Sequence, residues 1–113
     1  MFSKGARYYA QQGAMKVHYG IKTIITQIYT NTSLAYHMLD MQQKAKASAS
    51  YVLENLDPDN LKALMRRAFA NRSFFNFTDA LKDLKHLKKV MNQDDEAFKE
   101  VTKLYKSCWR GIC

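Results

Sequence analysis

The chain predicts an all-α fold in which antiparallel helix hairpins stack as a short α-solenoid closed by a C-terminal capping helix. Three observations lead there. Apolar residues recur at helical spacing in one segment after another. Four glycines and one proline in 113 residues leave little material for the many turns of a β fold. The helical segments pair into hairpins, and the pairs resemble each other at a fixed interval. A chain of this length is one domain, long enough for a modest core.

The first clear element runs from about Ala14 into the thirties. Val17, Ile21, Ile24, Ile25 and Ile28 fall at i, i+4, i+7, i+8 and i+11, a single stripe that predicts a core-facing helix. Residues 1–13, with aromatic pairs and two glycines but no clear period, predict a basic N-terminal arm or a short helix. Ala45, Ala49, Val52 and Leu53 mark the second helix, which LDPDN ends because Pro58 forces the preceding residue out of helical angles. A third helix runs from Asn60 to about Phe75. In the fourth, Ala80, Leu81, Leu84, Leu87 and Met91 form the apolar stripe, leaving Lys82, Lys85 and Lys89 to solvent. The last, over 94–108, opens with three acids at the positive end of its dipole and sets Phe98, Val101, Leu104, Tyr105 and Cys108 on one side. The helical domain therefore spans 14–108 and leaves 109–113 as a tail.

The net charge of +8 is uneven. Residues 1–39 hold Lys4, Arg7, Lys16 and Lys22 and no acid, whereas the remainder mixes 14 basic with 10 acidic side chains, so each part contributes +4. An acid-free, Arg- and Ser-containing start is how mitochondrial targeting segments are composed, and a solvated basic arm has the same composition. No run of about 18 apolar residues is present, so no transmembrane segment is expected and the reading is a soluble intracellular protein. Cys108 and Cys113 are too few for a disulfide framework and lack the spacing of a zinc site, which predicts thiols in a reducing compartment.

Residues 29–92 resemble two tetratricopeptide repeats, YTNTSLAYHMLDMQQKAKASASYVLENLDPDN and LKALMRRAFANRSFFNFTDALKDLKHLKKVMN, bounded at about 29–58 and 60–92. The signature small residues are Ala45 and Ala80, the repeat-closing proline is Pro58, and the aromatic near the end of the first helix is Tyr36. Departures are one extra residue in VLENLDP, Asn92 in place of proline, and Asn71 in place of the second aromatic. In members that bind the acidic C-terminal tails of cytosolic heat-shock chaperones, a clamp holds two carboxylates. The resemblance places candidate clamp residues at Asn31 of YTN and at Lys62 and Arg66 of KALMR. Lys62 and Arg66, four apart, differ by about 40° in azimuth and so share an edge of their helix, while Arg67 is about 100° further round. The Lys and Asn that the clamp takes from an earlier repeat have no counterpart in SKGARYY. The alternative is structural: Arg66 paired with an acid such as Asp59 or Asp83.

Other constellations carry less. Asp79 and Asp83 alternate with Lys82 and Lys85 as on a solvated face, His18, His37 and His86 are scattered over three helices, and no nucleophile is attended by a base. No enzyme activity, metal, cofactor or small-molecule substrate is expected. KDLKHLKK reads as a solubilising exterior rather than a nucleic-acid contact. The expected function is a protein–protein interaction module, an accessory or scaffold subunit of a larger intracellular assembly, mitochondrial or cytoplasmic including the cilium, because two repeats fall short of the three or so that make a solenoid self-sufficient. The alternative is a co-chaperone-type adaptor that binds an acidic C-terminal peptide.

Overall fold

The computed structural model describes residues 4–112, with side-chain surroundings described for 18–111. Its helices are α1 (Lys4–Met38), α2 (Gln42–Asn55), α3 (Leu61–Ser73), α4 (Phe77–Val90) and α5 (Glu96–Ile112), and no strand occurs among the described residues. Each helix packs on the next in chain order, α1 also meets α3, and the result is the expected all-α stack of hairpins.

A single interval of 35 residues relates the two hairpins. Helix ends at Met38 and Ser73, helix starts at Gln42 and Phe77, and helix ends at Asn55 and Val90 all differ by that interval. The connections repeat as well. Asp40 and Phe75 are the two non-glycine residues described with positive φ, at 58° and 62°. Each closes its helix in a Schellman motif: the amide of Met41 donates to the Tyr36 carbonyl and that of Asn76 to the Asn71 carbonyl, both at 2.8 Å. Aspartate tolerates the left-handed region through its short polar side chain, whereas Phe75 occupies it with a side chain 78% exposed and edge-on to Phe77.

Small residues set the helix spacing. Ala45, Ala49, Ala63, Ala68, Ala70 and Ala80 are all fully buried, and at the α1–α2 crossing the buried Ser33 hydroxyl donates to the Ala45 carbonyl at 2.7 Å. Ser33 and Ala45 recur 35 residues later as Ala68 and Ala80, the crossing of α3 with α4. Around these sites Leu64, Leu84 and Leu87 form the core with Val52, and Val101, Leu104 and Cys108 of α5 close it. Burial in this layer raises the Cys108 thiol above its ordinary range, an effect the charge of Arg72 partly opposes. Lys82, Lys85 and Lys89 are exposed as their phase on α4 requires.

Three sequence expectations change. α1 spans Lys4–Met38, so residues 4–13, expected as an arm or a short helix, continue into a 35-residue helix; Met1, Phe2 and Ser3 lie outside the described residues. α5 runs from Glu96 to Ile112, so the expected tail is helical almost to its end; Cys113 lies outside the described residues. The isoleucine stripe of α1 does not face the core. Ile21 is 51% exposed and Ile24 and Ile28 are 58% exposed, with Ile25 half-buried and the Val17 side chain outside those described. The cause is direction: α2 and α3 meet the flank of α1 that carries Tyr29, which stacks on Tyr51 at 4.4 Å, together with Thr26, Thr30 and Ser33, and the isoleucines project from the other side. The radius of gyration is 17.9 Å, against about 13 Å for a compact domain of this length.

Because Ala80 is buried at a close crossing, Ala80→Phe is expected to force α3 and α4 apart and to destabilise the fold by about 1 to 3 kcal/mol. Chemical denaturation followed by circular dichroism measures this; an unchanged midpoint contradicts the packing.

Candidate peptide-binding face

α3 positions the basic residues of LKALMRRAFA. It starts cleanly because the Asn60 side chain accepts from the Ala63 amide at 2.9 Å, and Ala63, Leu64 and Ala68 then fix which way it is turned. Arg67, three residues from Leu64, is thereby aimed at α4. Its Nε donates to Oδ2 of Asp83 at 2.8 Å and its Nη2 to Oδ1 at 2.7 Å, a two-pronged carboxylate contact. The hydrogen bond to Asp83 holds the guanidinium more strongly protonated than usual, with further help from the charges of Asp83, Glu54 and Asp79 and against the opposing effect of burial. Asp83 is therefore buried rather than part of a solvated face. A signal for this was present, since Asp83 lies three residues after Ala80 and four before Leu87, inside the buried arc of α4.

The remaining acid named as a partner for Arg66 is also engaged, because Asp59 Oδ1 lies 2.7 Å from Nε2 of His86. Arg66 has no carboxylate partner among the described residues. It is half-buried, and burial that no ion pair offsets pulls its affinity for the proton below the usual value. Its surroundings are an open depression of about 480 Å³ between α3 and α5, floored by Met65, Phe69 and Leu104 and edged by Arg72, Lys103 and Glu100. Arg72 Nη2 donates to the Ser107 hydroxyl at 3.0 Å across this groove, a link between helices 35 residues apart that the sequence does not announce.

Lys62, one turn earlier on α3, lies in a different depression, of about 670 Å³ between α1 and α3, with Lys22, Thr26, Thr30, Asp57 and Asp59. Two acids and two lysines nearly neutralise that one. Asn31 is exposed on α1 and lines neither. The structure thus places Lys62 and Arg66 on one edge of α3 as their spacing requires, but in separate grooves, and it does not bring Asn31 into either.

The histidines are apart: His18 is exposed, His37 exchanges a hydrogen bond with Gln42 and packs on Phe69, and His86 meets Asp59. Among the described residues no three His, Cys, Asp or Glu side chains lie close enough to hold a metal ion, and no helix is long and apolar enough to cross a membrane. Asn71, where the repeat pattern has an aromatic, is buried with its Oδ1 lacking any hydrogen-bond partner among the described residues. No family model, no curated protein and no solved structure matches the chain.

Removing Arg67 leaves the Asp83 carboxylate, 8% exposed, without its cation. Arg67→Ala is therefore expected to cost about 3 kcal/mol of stability, and a double-mutant cycle with Asp83→Ala to give a coupling above about 1 kcal/mol. Additive losses in that cycle contradict the pairing.

Proposed function

We propose that this chain is a non-enzymatic protein–protein interaction module, a small tetratricopeptide-like accessory or scaffold subunit of a larger intracellular assembly. The exposed isoleucine stripe of α1 carries this reading. Three β-branched apolar side chains on one helix face are exposed among the described residues, and contiguous exposed apolar surface marks interaction sites. The alanine-rich core supports it further, because each buried alanine removes little apolar area from water and a thin stack gains from a neighbour. The acid-free start is compatible with a mitochondrial setting, and the cytoplasm or cilium fits the remaining features equally.

A second reading has its own supporting observation. Arg66, half-buried over an apolar floor and without an anion of its own chain, is suited to a carboxylate on a peptide that also carries an apolar side chain, as an acidic chaperone tail bound by a co-chaperone-type adaptor would.

Affinity purification of the tagged chain at native expression level is expected to recover a fixed set of neighbours in near-equal amounts. Recovery of the chain alone as a monomer overturns the subunit reading. For the adaptor, an acidic peptide with a free C-terminal carboxylate is expected to bind more tightly than its amidated form, and Arg66→Ala to cost about 1.5 to 3 kcal/mol of that binding. Equal binding of the two peptides removes it.

A further inference from the structure

We propose that the cleft between α4 and α5, where Phe98, Tyr105 and Trp109 form a row bounded by lysines, binds single-stranded nucleic acid. The site uses neither the isoleucine face of α1 nor the Arg66 groove, and it stands independently of the interaction-module reading.

Packing creates a patch that the run KDLKHLKK does not show by itself. On α5, Phe98, Tyr105 and Trp109 are spaced i, i+7 and i+11 and share one flank, beside the buried stripe of Val101, Leu104 and Cys108. α4 supplies the facing wall. There the half-buried Lys88 sets its Nζ over the Tyr105 ring at 5.0 Å and over the Phe98 ring at 5.6 Å, and the two ring faces hold the ammonium in place. Lys85 and Lys89, both exposed, flank it, and the three lysines and two rings line an open depression of about 490 Å³. Beyond it Tyr105 meets Trp109 edge-on at 6.3 Å, and Trp109 is 48% exposed. Lys99 and Lys106 each follow a ring of the row by one residue, about 100° further round and away from the core, and both are exposed. Lysines therefore border the row on both sides.

The acids of this part of the chain lie elsewhere. Asp79 and Asp83 line the cleft toward Lys46 and Glu54 of α2, Glu100 lines the α3–α5 groove, and Asp94, Asp95 and Glu96 are confined to the connecting loop and the first residue of α5. A concave surface with one sign of charge focuses its potential on an anion. The aromatic row then chooses among anions. Single strands offer phosphates to the lysines and, unlike a duplex, free base faces to an exposed indole; aromatic rings beside a basic groove are how such strands are held. A glutamate-rich peptide would satisfy the lysines and leave Trp109 unstacked. A bilayer takes up apolar side chains that project, whereas Phe98, Tyr105 and Met91 are half-buried in the depression, and of the row only Trp109 is exposed.

Trp109 is the chain's single tryptophan, so its fluorescence reports the site directly. The full chain is titrated with labelled, mixed-sequence single-stranded RNA and DNA of about 12 nucleotides, read by both tryptophan quenching and anisotropy of the strand. A duplex of the same sequence, a polyglutamate peptide of equal charge, and vesicles of phosphatidylcholine and phosphatidylserine in equal parts are run beside them. The single strands are expected to bind, to quench Trp109 and to weaken as salt rises, and a preference for one sugar identifies RNA or DNA as the ligand. Trp109→Ala is expected to weaken binding by about fivefold or more, and Lys85→Gln with Lys89→Gln to lower the slope of log affinity against log salt by about 0.7 per lysine. Melting curves stay unchanged in both, since these side chains are exposed. Lys62→Gln with Lys103→Gln removes the same charge from the other two grooves and is expected to leave that slope as it is. No binding of either single strand, binding without quenching, binding indifferent to Trp109→Ala, equal or tighter binding of the duplex, the polyglutamate peptide or the vesicles, or equal effects of the two lysine pairs each overturn the proposal.

Discussion

Close approach of helices at alanine and serine is the constraint on which the rest of this structure depends. Six alanines are fully buried, and the two hairpins place small buried residues at equivalent positions, Ser33 and Ala45 in the first and Ala68 and Ala80 in the second. Short side chains let the backbones come near enough for many weak dispersion contacts, but each contributes little apolar area of its own. The larger side chains Leu64, Leu84, Leu87 and Val101 fill the spaces that remain between layers. A core of this kind is sensitive to enlargement at the crossings. It also gains much from the fixed geometry of its connections, which explains why the two turns at Asp40 and Phe75 keep the same backbone angles even though phenylalanine suits them poorly.

The sequence made the hairpin layout legible because both hairpins obey local rules with sharp punctuation. Pro58 ended α2, the Asn60 cap began α3, and the apolar stripe of α4 gave both its buried residues and its exposed lysines. Legibility failed at the two ends of the chain. Between Lys4 and Gly13 no apolar period signals a helix, yet α1 extends through that stretch, and α5 continues past Cys108, where no breaker stands. A more instructive failure concerns the α1 stripe. Period 3.6 reports that one face of a helix is apolar; it carries no information about whether the cover comes from the same chain. The 35-residue interval supplies that information only once the helix boundaries are known.

The candidate site was legible to a similar depth. Helical geometry alone separated Arg67 from Lys62 and Arg66, and that separation holds. What spacing along one helix does not give is the identity of the groove on each side of it. Lys62 and Arg66 are one turn apart, but α1 approaches α3 near the former and α5 near the latter, so the two cations serve different depressions. That depends on where α5 sits, a long-range packing result involving Leu104 and Arg72 with Ser107.

The charge on α3 then divides by environment. Arg67 is half-buried where a carboxylate of the neighbouring helix meets both its Nε and its Nη2, and the ion pair is part of the hairpin. Arg66, adjacent in sequence and also half-buried, lacks such a group, so its burial is uncompensated. A cation in that position contributes nothing to the hairpin that a neutral residue of equal size would not, because the desolvation it suffers is not offset by any internal contact. The same asymmetry recurs on α1, where Ile28 stands exposed at the position whose α3 counterpart is the buried Ala63. In both cases the chain carries, on its surface, chemistry that its own packing does not use. The hairpins hold together through Ala, Leu and the Arg67–Asp83 pair, and the residues left over are a cation above an apolar floor and an apolar face on a basic helix.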